Sequence, residues 1–219
     1  MIPHFNSKLE FLQYLSNECI HNIEKIQLKH PQEKGIQKAY ASTLNYLAKT
    51  EEASGGCHLI SVMLHILLSE QGIENELVIG EVEDYEANTQ FSHSWVEVDG
   101  EIFDPAIMHT LDGNVHPPVY NGVKLTLEPL TMEYGISKGK EELDRDAKHV
   151  LDMSVTAYLD AIKDYGYPKN YLWDEILKAG IGIMGFTNLS RLRKKYNTHY
   201  RVLKTKGIEA KVISDDTKM

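Results

Sequence analysis

The sequence has only two cysteines, Cys19 and Cys57, in 219 residues, too few for a disulfide framework. No apolar run approaches the roughly 18 residues of a membrane span, so no membrane partner is expected. Positive charge is also short. With 23 basic residues against 32 acidic ones, the net charge of -9 argues against nucleic acid or an anionic membrane as partner. Internal repeats and low-complexity tracts are absent. The opening MIPHFNSKLEFLQYLSNECIHN lacks the apolar core and small-residue cleavage site of a secretory leader. A reducing, cytoplasmic setting is therefore the expectation, with both cysteines as thiols. What remains, 42% hydrophobic and 25% charged, is the composition of a folded soluble protein. A chain of this length suits a single domain, 1–219, that needs no covalent staples.

The apolar positions Leu9, Leu12, Leu15, Ile20, Ile23 and Ile26 recur at helical steps, so Phe5 to Leu28 reads as an amphipathic helix stopped by His30-Pro31. A second helix is predicted over Ile36–Lys49, and Thr50–Gly56 is a loop on its glycines. From Cys57 to Gln71 the chain is apolar all round, the mark of a helix enclosed by the rest of the protein, with Gly72 suited to its C-terminal cap. Three strands follow, over Glu76–Val82, Phe91–Val98 and Glu101–Asp104. Asp99-Gly100 joins the last two, a pair suited to a type I′ hairpin turn. One further strand is predicted at Gly122–Leu127, then helices over Glu141–Tyr165, Asn170–Ala179 and Leu189–Thr205. This is an α+β arrangement: a helical N-terminal segment over 1–50, a core of helix and antiparallel sheet over 51–130, and a helical C-terminal segment over 131–219.

Cys57, His93 and Asp104 form the constellation able to do chemistry. Thiol catalysis needs a nucleophile, a base and a group that orients the base. Cys57 follows Ser54-Gly55-Gly56 and opens the enclosed helix, where the macrodipole and the first-turn amides favour a thiolate. The amides of Cys57 and His58 there can receive an oxyanion, and Gly56 lets a substrate backbone approach. If Asp99-Gly100 is a two-residue turn, Val98 faces Glu101, Trp95 faces Asp104 and His93 faces Ala106. His93 and Asp104 are then diagonal neighbours on one face, about 7–8 Å apart at Cα. Bringing Cys57 to them requires the helix to lie across that face.

GGCHLISVMLHILLSEQGIENELVIGEV followed by FSHSWVEVDGEIFDPA resembles the core of the transglutaminase-like superfamily of papain-like cysteine enzymes. The matching residues are Gly56-Cys57, His93-Ser94-Trp95-Val96-Glu97 and Asp104-Pro105, and the resemblance spans residues 54–106. Residues 1–50 and 107–219 carry none. The resemblance implies a papain/transglutaminase-like fold, a buried helix packed on an antiparallel sheet. It also implies Cys57 as nucleophile, His93 as base and acid, and Asp104 as the residue orienting His93. The expected activity is hydrolysis or acyl transfer on an amide, peptide or ester through a thioester. Its substrate would be a peptide, a protein or a small amide, and no cofactor or metal is needed.

Blander readings stand beside each residue. A cysteine in an apolar helix is often an inert core residue, and an Asp-Pro pair commonly ends a strand. His58 and Trp95 are placed as site-lining residues, though Trp95 can equally be core. His65 reads as a satisfied core histidine and Glu97 as a solvated hairpin-end residue. The basic run from Arg191 to Arg201 could contact an acidic partner or phosphate, but a solvated helix face is the preferred reading. Two other classes compete with the thiol enzyme: a zinc site using Cys57, His93, Asp104 and His58, and a catalytically silent binding module.

Overall fold

The computed structural model describes residues 8–49, 56–110, 116–161, 168–185 and 187–206. Three helices come first: α1 (Lys8–Ile23), α2 (Glu33–Leu47) and α3 (Cys57–Ser69). In α2 the buried positions Ile36, Ala39, Tyr40, Thr43, Leu44 and Leu47 follow the helical period and form one stripe. Helix α1 ends at Ile23, well before His30-Pro31, because Ile26 and Leu28 leave the helical path and pack on the core directly. Every residue of α3 from Ile60 to Leu68 is buried. Its end is closed at Gly72 (φ +72°), where Ile73 N donates to Leu68 O and Gly72 N to Ser69 O.

The sheet contains β1 (Glu76–Asp84), β2 (Thr89–Val98), β3 (Glu101–Asp104), β4 (Val119–Tyr120), β5 (Val123–Lys124) and β6 (Met132–Tyr134). Their order is β5-β4-β3-β2-β1-β6, every neighbouring pair antiparallel. A seventh strand, β7 (Val202–Leu203), runs parallel to β1. The architecture is a mixed helix and antiparallel half-barrel. Asp99 and Gly100 have φ of 52° and 80°, the positive values that a type I′ turn requires. Val98 faces Glu101, Glu97 faces Ile102 and Val96 faces Phe103, the register expected from that turn. Ala106 does not face His93. The chain has by then entered a 3-10 turn, Ala106–His109, whose first amides are held by Asp104 Oδ1.

The expected single strand Gly122–Leu127 is instead the small ribbon β4–β5. Asn121 and Gly122 form a second turn with both φ positive, 55° and 70°. The expected helix over Glu141–Tyr165 is divided into α4 (Arg145–Leu151) and α5 (Val155–Ala161), and residues 162–165 lie outside the described ones. Local capping divides it. Asp144 accepts from Ala147 N at 2.7 Å and Ser154 Oγ from Ala157 N at 3.1 Å, each starting a helix of its own. After α6 (Tyr171–Ala179) comes α7 (Leu189–Tyr196), which stops far short of Thr205. Beyond it the backbone is drawn into the sheet, with Lys204 N donating to Ile79 O at 2.9 Å. The C-terminal segment 131–219, expected to be helical, thus also supplies β6 and β7. Gly80 permits this approach, since a Cβ there would lie 2.9 Å from Lys204 O.

Cluster membership divides β2 between two cores, as alternation along a strand requires. Val96 and Val98 pack with α1, α2 and α3, whereas Trp95 joins Val78, Val82, Ile107, Val119 and Met132. The basic run on α7 is solvated only in part: Arg191 and Lys194 are exposed, but most of its cations are paired. Arg191 and Lys195 converge on Glu70 at the end of α3, and Arg193 pairs with Asp160 at 2.8 Å. Among the described residues, no helix is long and apolar enough to cross a membrane.

Candidate active site

Helix α3 begins at Cys57 with Gly56 preceding it, and its hydrogen-bond ladder opens with Leu59 N and Ile60 N donating to Gly56 O. Ser61 Oγ donates to Cys57 O at 2.8 Å and fastens the first turn. Two successive helix residues meet two successive strand residues. Cys57 lies close enough to His93 for the ring to lower its thiol pKa, and His58 Nδ1 lies 2.8 Å from Ser94 Oγ. Because neighbouring side chains on a strand point to opposite faces, the start of α3 straddles β2. The body of the helix covers the Val96–Val98 side instead of lying across the His93 face.

His93 Nε2 lies 2.8 Å from Asp104 Oδ2, with the two residues 1% and 0% exposed. With Nε2 on the carboxylate, Nδ1 is the ring nitrogen left for the thiol. Asp104 divides its work between its two oxygens. Oδ1 accepts from the amides of Ala106 and Ile107 at 3.0 and 3.1 Å, which is the turn-forming role of an Asp-Pro pair. Oδ2 accepts from His93 and from Tyr134 Oη at 2.8 Å. Asp104 thus ends the strand through one oxygen and holds the His93 ring through the other.

Electrostatics sharpens this arrangement. Burial raises the Cys57 thiol, but His58 and His93 outweigh it and hold the sulfur well below its ordinary 9.0. Burial alone would lower His93, but Asp104 and the Cys57 sulfur together raise the ring above its ordinary 6.5. Each shift favours the charged form of its group, the sulfur as anion and the ring as cation. Tyr134 is raised well above 10.0 by burial and by Asp104, so it stays a donor. Cys19 is the opposite kind of thiol: 1% exposed, pushed up to about 12 by burial and Glu18, and inert. Both thiols are free.

Trp95 is fully buried. Its ring meets Tyr134 edge-on at 5.1 Å, and its Nε1 donates to Glu97 Oε1 at 2.9 Å. Glu97 is accordingly 5% exposed and also binds Lys204 Nζ at 2.8 Å, so it is a buried acceptor and not a solvated hairpin end. His65 is a satisfied core residue between Asn75 (2.6 Å) and His199 (2.9 Å). Thr50 and Ser54, candidate oxyanion donors, lie outside the described residues. Among the described residues, no group of three or more His, Cys, Asp or Glu side chains is disposed to hold a metal ion.

Sequence reasoning missed Tyr134, Ser94 and Arg201. Tyr134 lies in a three-residue strand with no motif. Ser94 sits inside the His-Ser-Trp run, where alternation alone turns it away from His93. Arg201 looked like one more cation of a basic run, yet it is 4% exposed and donates to His58 O at 3.0 Å.

No curated protein and no solved structure matches the chain. A family match does exist, and it starts upstream of the motifs, taking in α2 as well as α3 and the β1–β3 sheet, so the resemblance is not confined to residues 54–106. Residues 23–112 match the model of the transglutaminase-like superfamily, the family that the motifs around Cys57, His93 and Asp104 resemble.

Proposed function

We propose that the protein is a cysteine-dependent hydrolase or acyltransferase on a papain-like core, acting on an amide, peptide or ester bond. One observation carries this reading: a buried imidazole holds a carboxylate on Nε2 and acts electrostatically on the sulfur at the start of α3. The Cys57 thiolate adds to the acyl carbon, and the amides of Cys57 and His58 receive the oxyanion. Collapse breaks the bond to the leaving group, which takes the proton from His93 and leaves a thioester. Water or an amine then attacks, giving its proton to His93 as the thiolate departs. Asp104 keeps the ring in one tautomer and stabilises its cationic form throughout.

Water is the default acceptor, which favours hydrolysis. The test incubates the full chain with p-nitrophenyl esters and p-nitroanilides of short peptides, with and without added amine. Cys57→Ala and His93→Ala should each lower turnover by about 10²-fold or more while the fold persists. Retained turnover in folded Cys57→Ala removes the thiol mechanism, and incorporation of the amine distinguishes transfer from hydrolysis.

A further inference from the structure

Arg201 reaches the site from the far end of the chain. It sits just before β7, and its guanidinium is 4% exposed. Nη2 donates to His58 O at 3.0 Å and Nη1 to Val150 O at 3.2 Å; the planar group lies 4.7 Å from the Tyr158 ring centroid, and among the described residues Nε has no hydrogen-bond partner. Two carbonyls and an aromatic face are neutral acceptors. An arginine cannot shed its proton under ordinary conditions, and a cation held out of water without a counter-charge is strongly unfavourable. Among the described residues, none of its hydrogen bonds goes to a carboxylate.

Among the described residues, Tyr158 on α5 and Cys57 and His65 on α3 interact electrostatically with Arg201. Of these, His65 only adds positive charge, and a phenol ionises well above a thiol. The sulfur of Cys57 is the group able to answer the charge. Burial lowers Arg201 from its ordinary range, and Tyr158 and Cys57 oppose that.

We propose that Arg201 is the buried counter-cation of the Cys57 thiolate, carried to the start of α3 by the C-terminal segment that β7 clamps onto β1. It is a positioning residue: it grips the carbonyl of His58, the residue after the nucleophile, and supports the negative sulfur from behind. His93 on the strand and His58 on the helix also lower the thiol pKa. The segment after α7 therefore belongs to the reactive centre. This inference rests on the thiol-enzyme reading in assuming that the sulfur works as an anion, but it does not require any particular substrate.

The experiment follows alkylation of Cys57 by iodoacetamide against pH in the full-length protein, with Cys57 and Cys19 quantified separately by peptide mass spectrometry. Arg201→Met removes a buried charge and keeps an unbranched apolar stem, so it should fold. It should shift the midpoint for Cys57 upward by about one pH unit or more, slowing alkylation about tenfold below the midpoint. Arg201→Lys keeps the charge without the fork and should hold the midpoint near the wild-type value. An unchanged midpoint in folded Arg201→Met overturns the proposal. If that variant does not fold, Arg201→Gln, which removes the charge but keeps a donor for the His58 carbonyl, decides: an upward shift supports the counter-cation, and an unchanged midpoint overturns it. Turnover of acyl substrates is read in parallel. An upward shift in Arg201→Met with no turnover in wild type leaves the counter-ion standing and the enzyme reading fallen; turnover with no shift does the reverse.

Discussion

His93 and Asp104 lie eleven positions apart in the chain, yet Nε2 of one rests 2.8 Å from Oδ2 of the other in a region closed to water. The second carboxylate oxygen of Asp104 holds two amides of the following turn. One side chain therefore both ends the strand and orients the imidazole.

Asp104→Asn tests that double role. The amide has one oxygen for four donors: the amides of Ala106 and Ile107, the His93 ring and Tyr134 Oη. At least one buried donor loses its acceptor, a loss of about 1–3 kcal/mol. The imidazolium also loses its counter-charge, so the Cys57 thiol should rise toward its ordinary value. Chemical denaturation and the pH profile of Cys57 alkylation read the two effects; an unchanged profile would remove Asp104 from the charge network.

Tyr134→Phe removes one donor to Asp104 and leaves the other three in place. A hydrogen bond to a charged group contributes about 1.5–3 kcal/mol, and stability should fall by an amount in that range. The turnover loss should be smaller than in Asp104→Asn, because His93 keeps its carboxylate. Equal losses in the two variants would mean that Tyr134 does more than support Asp104.

His65 helps to set the acid limit. Its ring is lowered from 6.5 to about 4, first by burial, while the Asn75 hydrogen bond opposes and the nearby His199, Arg201 and Lys195 add to the lowering. Asn75 Nδ2 donates to Ser69 Oγ and Ile73 O, so its oxygen accepts from His65 Nδ1 and His65 Nε2 accepts from His199. Between those two pH values the unfolded chain takes up a proton that the folded ring refuses. The contribution is complete above pH 6.5 and is lost as pH falls toward 4, about 3 kcal/mol over the interval. Denaturant midpoints from pH 7.5 to 4.5 should fall less steeply in His65→Gln than in wild type. Parallel curves would rule this out.

Gly80→Ala should disturb the C-terminal segment. The new Cβ would meet the Lys204 carbonyl at 2.9 Å and the Trp95 ring at 3.1 Å, an overpacking of about 1–3 kcal/mol. Faster hydrogen exchange at the Lys204 amide, which donates to Ile79 O, is the expected signature. Gly139, with nothing within 4 Å of its added Cβ, is the control and should be near neutral. Unaltered exchange in Gly80→Ala would mean that β7 yields without loosening.

The amino-acid order by itself determined the enclosed helix from Cys57, the Asp99-Gly100 turn and the register that sets Trp95 near Asp104. Each depends on periodicity or on the φ preferences of adjacent residues, which act between near neighbours. The same local rules failed where distant chain competes for a segment. Leu189–Thr205 carries a helical pattern, but its second half pairs with β1, and Glu97 reads as polar until Trp95 and Lys204 enclose it. Tertiary structure alone decided that α3 straddles β2 at its first two residues. It also brought Tyr134 beneath Asp104 and carried Arg201 to His58. Those contacts join residues 30 to 143 positions apart, and many chain paths satisfy the same apolar pattern until close packing selects one.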